Sequence, residues 1–120
     1  ISMHGKWIFG TYGLEAEDLE QALYLMRQLN VALNRDIYRL KRVVFAKPSA
    51  NLDSALKDYP RNEIIIDEQE LLYKKIDTLE GEDFFKEQKI FIIDSYGRAV
   101  MFFPISMDPK LILKDLKVLI

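Results

Sequence analysis

Two short apolar segments separated by one long amphipathic segment constrain the fold of this chain more than any other feature. The first apolar segment, Lys6–Tyr12, is rich in aromatic and other strand-forming residues, and Gly13 follows it. The second, Leu40–Ala46, ends in an unbroken apolar run that is typical of a strand covered on both faces. Two such strands joined through one helix predict a parallel pair with a right-handed crossover.

The segment between these strands repeats apolar residues at steps of three and four, which lines one face of an α-helix. The residues predicted to face the core are Leu19, Ala22, Leu23, Met26, Leu29 and Leu33. Glu15, Glu17 and Asp18 lie at the predicted start of the helix, where negative charge complements the helix dipole. Asn34 and Arg35 are predicted to end the helix.

The middle of the chain predicts smaller elements. Its apolar runs are short and are interrupted by Pro48, Pro60 and acidic residues. Leu71, Leu72 and Ile76 are expected to face inward from a helix in this part of the chain. In chain order, the expected elements are a short helix over residues 51–59, a small strand or chain crossing over 63–67, a helix over 68–76 and an irregular acidic stretch over 77–88.

The last third of the chain predicts a β-hairpin followed by a helix. Residues 89–93 and 99–103 are apolar, and the turn Asp94–Arg98 between them contains Gly97, which suits the left-handed position of a short hairpin loop. Asp108–Pro109 then places an N-cap residue before a proline at the first helical position. The residues expected on the buried face of this helix are Leu113, Leu116 and Ile120, with Ile112 and Leu119 beside them.

The order of these elements is strand, helix, strand, helices, hairpin and helix. It predicts an α/β domain with a thioredoxin-like three-layer sandwich, in which a mixed sheet with parallel strands is completed by a C-terminal antiparallel hairpin and a terminal helix. The chain has 120 residues, which is the size of one domain, and we expect residues 1–120 to form a single thioredoxin-like domain.

The composition excludes several kinds of chemistry. The sequence has no cysteine and a single histidine, His4, so thiol nucleophiles and cysteine metal sites are excluded and histidine-based triads are disfavoured. Lys plus Arg number 17 and Asp plus Glu number 19, and this near balance argues against a general nucleic-acid binder. No glycine-rich phosphate loop follows Gly10 or Gly13. We therefore expect no catalytic residue, no metal and no cofactor, and a protein that is not an enzyme.

Three charged clusters allow both an ordinary and a functional interpretation. The acidic cluster at the start of the long helix could bind a cation or a basic partner. The acidic cluster within residues 77–83 could bind calcium, and the basic cluster within residues 35–42 could bind an anionic partner or lipid headgroups. The ordinary interpretations are favoured: helix-dipole complementation, a solvated loop without the ligand pattern of an EF-hand, and charges beside the start of a strand. The clusters are Glu15, Glu17, Asp18 and Glu20; Asp77, Glu80, Glu82 and Asp83; and Arg35, Arg39, Lys41 and Arg42.

The loop before the long helix is the candidate partner-binding site. Tyr12, Leu14 and Glu15 lie there, and an exposed Leu14 together with Leu19 would form an apolar docking surface for a protein. The ordinary interpretation, which is favoured, is that the apolar residues of this loop staple the start of the helix.

Several segments of the chain resemble the Sco/SenC-like thioredoxin-fold proteins of bacteria, a family linked to cytochrome c oxidase assembly. Their order and spacing carry the resemblance and cover both ends of the chain, whereas residues 47–88 match poorly. The matching segments are Gly5–Ile8, Leu23–Gln28, Ile90–Arg98, Met107–Lys110 and Leu113–Leu116.

The resemblance implies a divergent family member that lacks the family's site. In that family a Cys-x-x-x-Cys pair at the start of the first helix binds copper together with a distant histidine. The resemblance places the two cysteine positions at Glu15 and Leu19, and no residue between Asp77 and Lys89 replaces the histidine. It therefore implies a chain that kept the fold and lost the copper and thiol site.

The resemblance also implies a role and a location. We expect a non-catalytic, protein-binding accessory factor whose partners are assembly components of the respiratory oxidase, at the periplasmic face of the bacterial inner membrane. The chain begins at Ile1 without an initiator methionine, and we expect it to be the soluble part of a longer protein with a membrane anchor upstream. The alternatives are an enzyme that uses carboxylates or Tyr12 in a pocket above the strand ends, and a cytoplasmic scaffold of the same fold.

Overall fold

The computed structural model describes residues 7–33, 40–81, 83–94, 96 and 98–119. Short 3-10 turns at Glu68–Glu70 and Phe84–Lys86 connect some of the regular elements. In chain order these elements are β1 (Trp7–Gly13), α1 (Ala16–Leu33), β2 (Leu40–Ala46), α2 (Asp53–Leu56), β3 (Glu63–Ile66), α3 (Leu71–Glu80), β4 (Lys89–Ile93), β5 (Ala99–Pro104) and α4 (Pro109–Leu119).

The five described strands form one mixed sheet in the order β3-β2-β1-β4-β5. Strand β2 runs parallel to both β1 and β3, and β4 runs antiparallel to both β1 and β5. The predicted parallel pair joined through α1 and the predicted C-terminal hairpin are therefore confirmed. Residues 63–66, for which a strand or a chain crossing was expected, form the parallel strand β3 at one edge of the sheet.

Helix α1 packs on the sheet with the face that its periodicity predicts. All six residues expected to face the core are buried, and Leu25 and Asn30 are buried with them. On α4, the fully buried residues are Ile112 and Leu116, one helical turn apart, whereas Leu113 is half-buried. Leu116 therefore faces the core as predicted, but its partner on the buried face is Ile112, four residues before it, rather than Leu113. Ile120 lies outside the described residues.

The caps and turns of the C-terminal part follow the sequence closely. The Asp108 carboxylate accepts a hydrogen bond from the backbone N–H of Lys110 at 2.9 Å, which confirms it as the residue that caps α4. In the hairpin turn, the Asp94 carboxylate accepts the backbone N–H groups of Tyr96 and Arg98 and the Arg98 side chain. These bonds, led by the one from the Arg98 backbone, lower the pKa of Asp94. Gly97 lies outside the described residues.

The middle of the chain departs most from the sequence-based expectation. Helix α2 covers only Asp53–Leu56, and α3 extends to Glu80, so part of the stretch predicted to be irregular is helical. Leu71 is 63% exposed rather than inward-facing, whereas Leu72 and Ile76 are half-buried. The reason is local: Gln69 and Glu70 have positive φ angles of 60° and 56°, and they turn the chain so that the first residue of α3 faces outward.

Candidate functional site

The candidate site lies where the carboxyl-terminal ends of β1 and β2 meet the start of α1, a place we call the strand-end corner. Gly13 ends β1 and pairs with Ala46, which ends β2. A Cβ atom on Gly13 would lie 2.6 Å from Leu52 Cδ1 and 3.1 Å from Leu19 Cδ2. Glycine is therefore needed here because two core leucines pack directly against the end of β1. In open α/β sheets this is the usual location for a ligand site.

Tyr12 faces into the corner from β1 and is 1% exposed. Its hydroxyl donates a hydrogen bond of 2.5 Å to Asp67 Oδ2, across 55 residues of sequence. Burial, followed by this hydrogen bond to a carboxylate, raises the pKa of Tyr12 far above that of a free tyrosine, so the hydroxyl stays protonated at neutral pH. The side chain predicted to contact a partner is thus an interior group, because its hydroxyl finds a buried acceptor.

Asp67 receives the Tyr12 hydroxyl and also caps α3. The residue follows β3 directly, is 8% exposed, and accepts the backbone N–H groups of Leu72 and Tyr73, each at 2.9 Å. Burial acts to raise the pKa of Asp67, but the hydrogen bonds donated by Tyr12 and by the start of α3 outweigh it and hold the pKa below 3.8. Asp67 is therefore a buried anion with three hydrogen-bond donors, and it joins β1, β3 and α3.

Sequence reasoning missed Asp67, although a signal was present. An aspartate that directly follows an apolar run and precedes a helical pattern is a candidate capping residue. Its partnership with Tyr12 has no sequence signal, because the two residues are brought together only by the pairing of β3 with β2 and of β2 with β1.

A second buried polar group closes the corner from the side of β4. The Gln88 side chain donates from Nε2 to Thr11 Oγ1 at 2.7 Å and to the Tyr12 carbonyl at 2.6 Å. The Thr11 hydroxyl in turn donates to the Lys89 carbonyl at 2.6 Å. Gln88 and Thr11 are both buried, so these bonds satisfy groups that would otherwise be unpaired in the interior.

Aromatic rings fill the space that remains at the corner. The Tyr12 ring meets the edges of Tyr73 and Phe85 at centroid distances of 5.7 and 5.6 Å, and these two rings stack on each other at 4.3 Å. The cavity between Tyr12, Leu14 and Phe85 has a volume of only about 10 Å³. A volume of this size holds about one water molecule at most. The strand-end corner is therefore packed, with no room for a substrate among these side chains.

The family-site positions Glu15 and Leu19 lie one helical turn apart but in different environments. Glu15 is exposed, and its carbonyl accepts the backbone N–H of Leu19 at 2.9 Å. Leu19 is fully buried in the core, so it is not part of a docking surface, whereas Leu14 is half-buried. Only Leu14 and Glu15, of the three residues predicted to contact a partner, thus reach the surface.

The charged clusters lie at separate places on the domain. Glu17, Asp18 and Glu20 are exposed on the first turns of α1, and within the described residues no three histidine or carboxylate side chains are arranged to hold a metal ion. Asp77 and Glu80 belong to α3 rather than to a loop. In the basic cluster, Arg35 and Arg39 lie outside the described residues, as does Glu82 of the second acidic cluster. Lys41 pairs with Glu63 at 2.8 Å, and Arg42 is half-buried.

These features define an α/β domain of thioredoxin-like fold with a filled corner and no thiol. Residues 15–120 match the family of transmembrane-like, thioredoxin-like C-terminal domains. The chain belongs to this family. Comparison with curated protein sequences gives no match. Across the part of the chain that the structure describes, no helix combines the length and the apolar character needed to cross a membrane.

Solved structures confirm the thioredoxin-like fold. Yeast Sco1 with copper bound has a TM-score of 0.71 at 13% identity, covering 97% of this chain and 78% of that one. Copper-bound ScoI of Bradyrhizobium japonicum has a TM-score of 0.63 at 16% identity, covering 99% and 88%. Peroxiredoxin Q of Xanthomonas campestris has a TM-score of 0.64 at 13% identity, covering 98% and 81%. Because copper proteins and a peroxiredoxin are similar to this chain to about the same degree, the likeness establishes the fold alone.

Proposed function

We propose that the protein is a non-catalytic, thioredoxin-like binding domain that acts through protein contacts in the assembly of a respiratory oxidase, on the periplasmic side of a bacterial membrane to which it is anchored. The observation that carries the proposal is the filled strand-end corner in a chain without cysteine. The resemblance of its segments to Sco/SenC-like proteins supplies the pathway, and the family description is consistent with an anchored protein.

The filled corner favours binding over catalysis for a physical reason. A reacting group must be reachable by its substrate, and its protonation state must suit the reaction. Tyr12 and Asp67 meet neither condition, because both are buried, the tyrosine is held protonated and the carboxylate is already occupied by three donors. The polar groups at the corner therefore stabilise the fold, and the function is left to the surface.

The edge strand β3 is the surface best suited to a protein partner. It pairs with β2 on one side, and no described strand pairs with its other side. Ile64, Ile65 and Ile66 are 41–47% exposed, although large apolar side chains on an open strand edge are usually avoided. An extended segment of another protein can add to such an edge through main-chain hydrogen bonds. Ile66 lies at the same end of the sheet as Leu14 and Glu15, so one partner can contact both.

The test compares two surface substitutions that add the same charge. Ile65→Lys places an ammonium group on the β3 edge, and Val118→Lys places one on α4, where Val118 is 86% exposed. In a strain that lacks the gene, we expect wild type and Val118→Lys to restore the copper and haem content of the oxidase, and Ile65→Lys to fail. Pull-downs of the full-length protein from native membranes should recover an oxidase assembly component with the first two and lose it with the third.

Two results would count against the proposal. Normal oxidase copper and haem in the deletion strain would remove the pathway, and a set of cytoplasmic partners would instead support a cytoplasmic scaffold. Equal recovery of the partner by both lysine variants, with unchanged thermal unfolding, would remove β3 as the contact while leaving a binding function intact.

Copper titration tests the absence of metal chemistry directly. A soft Cu(I) ion prefers thiolate, thioether or imidazole ligands, and this chain offers four methionines and one histidine without any cysteine. We expect a Cu(I) chelator to retain all its copper in the presence of this domain; the comparison protein is ScoI of Bradyrhizobium japonicum, whose structure has copper bound. Tight binding of one copper per chain would overturn the non-catalytic assignment.

A further inference from the structure

Three arginines surround one small cavity at the end of the sheet opposite to the strand-end corner. Arg27 lies on α1, Arg42 near the start of β2, and Arg61 in the segment that precedes β3. The cavity has a volume of about 160 Å³, and Asp58, Tyr59 and Asn62 also line it. Three segments that are far apart in sequence therefore each contribute an arginine to the lining of one cavity.

The packing around the cavity limits where these guanidinium groups can go. The Arg27 guanidinium lies 4.9 Å from the centre of the Tyr59 ring and 5.6 Å from that of Tyr24, which holds it by cation–π contacts. Arg42 is half-buried, and burial followed by the positive charges of Arg61 and Arg27 lowers its pKa. The charges of Arg27 and Arg61 are thus close enough to Arg42 to repel its charge.

Among the described residues, the positive charge around the cavity is not balanced by ion pairs. Asp58 is the carboxylate among the lining residues, and within the described residues none of the three arginines forms an ion pair with it or with any other carboxylate. Three positive charges and one negative charge leave the lining with a net charge of +2. Arg27 and Arg61 are exposed, whereas Arg42 is half-buried. A half-buried charge beside two like charges is costly to the fold unless an opposite charge accompanies it.

We propose that this cavity is a binding site for a dianionic phosphate group, such as inorganic phosphate or a phosphate monoester. A dianion neutralises the excess of two charges, and the planar fork of arginine matches the oxygen geometry of phosphate. The Tyr59 ring forms an apolar wall beside the oxyanion. This site is independent of the partner surface on β3 and of the strand-end corner.

The test measures phosphate binding by isothermal titration calorimetry and by thermal unfolding at constant ionic strength. We expect inorganic phosphate to bind the wild-type chain and raise its Tm, and acetate to give a much smaller shift because it carries one charge. Arg42→Gln should weaken binding by at least about tenfold, and Arg61→Gln, in an exposed segment, by several-fold. Arg98→Gln removes the same charge from the hairpin turn, where Arg98 pairs with Asp94, and should bind phosphate like the wild type.

Stability without phosphate separates a binding role from a structural one. Removing one of three repelling charges should leave the Tm of Arg42→Gln in phosphate-free buffer equal to or above that of the wild type. Binding to vesicles that contain phosphatidic acid, compared with phosphatidylcholine vesicles, distinguishes a lipid phosphate monoester from a soluble one. Loss of phosphate binding or of vesicle binding in Arg42→Gln and Arg61→Gln supports the site. The proposal is overturned if phosphate gives the wild type and both variants the same Tm shift, or if acetate matches phosphate.

Discussion

Replacing Asp67 by alanine is expected to lower the free energy of unfolding by about 3 kcal/mol, one of the two largest effects of a single substitution in this domain. The substitution leaves the Tyr12 hydroxyl and the backbone N–H groups of Leu72 and Tyr73 without their acceptor. The hydroxyl lies in the interior, where an unpaired donor costs more than a lost hydrogen bond at the surface. Urea unfolding followed by circular dichroism measures the change.

A surface control and a variant that removes one hydrogen bond help to interpret the loss of stability in Asp67→Ala. Asp18→Ala, on the exposed start of α1, should change the stability by no more than about 0.5 kcal/mol. Tyr12→Phe should cost about 1 kcal/mol, because Asp67 keeps the two N–H groups of α3. The double variant Tyr12→Phe/Asp67→Ala should then lose less stability than the sum of the losses in Tyr12→Phe and Asp67→Ala. Additive losses would show that the hydrogen bond between Tyr12 and Asp67 contributes nothing to stability.

The stability that Asp67 provides should also depend on pH. Because the pKa of Asp67 is lowered in the folded state, its contribution is fully present above its ordinary value of 3.8 and is lost as the pH falls through the lower, folded-state pKa. The difference in unfolding free energy between wild type and Asp67→Ala should therefore narrow below pH 3.8. A difference that stays constant down to the acid unfolding transition would contradict a depressed pKa.

Replacing Leu23 by alanine is expected to cost about 3 kcal/mol, for a different reason. Leu23 is fully buried at the middle of α1 and belongs to the main hydrophobic core. The substitution removes apolar contacts and leaves a cavity that the surrounding helices and sheet fill only in part. For a domain of this size, the Tm should fall by roughly 10–15 °C, as measured by thermal unfolding.

The matched control is Leu111→Ala on α4, which makes the same chemical change at a site that is 52% exposed. Its cost should stay below about 1 kcal/mol, because half of the side chain already contacts water. Similar losses at both positions would mean that α1 does not pack on the sheet as described.

The two proposed surfaces share no residue, although both involve the region around β3. The β3 edge and the Leu14–Glu15 rim share the end that carries the strand-end corner, whereas the arginine cavity lies near the starts of β2 and β3. A phosphate ligand can therefore occupy its site without covering Ile66 or the Leu14–Glu15 rim. Substitutions at one site should leave the other unaffected, since they share no residues.

The positions of the strands and the buried face of α1 could be predicted because they depend on local periodicity. The six core positions of α1 repeat at steps of three and four, and they fix the face that meets the sheet in any fold that buries it. The middle of the chain was predicted less well. There the positive φ angles at Gln69 and Glu70 turn the chain before α3. No residue pattern predicts such a turn when its residues are not glycine.

The sequence by itself determined the βαβ unit, the hairpin, the terminal helix and the lack of cysteine, because periodicity, turn residues and residue counts are properties of the linear chain. Only the tertiary structure decided that Tyr12 is an interior group bonded to Asp67, and that Arg27, Arg42 and Arg61 surround one cavity. These contacts join residues on different elements, and their distances depend on strand order and helix packing. The parallel pairing of β3 with β2 brings both sets together, and that pairing is a long-range property.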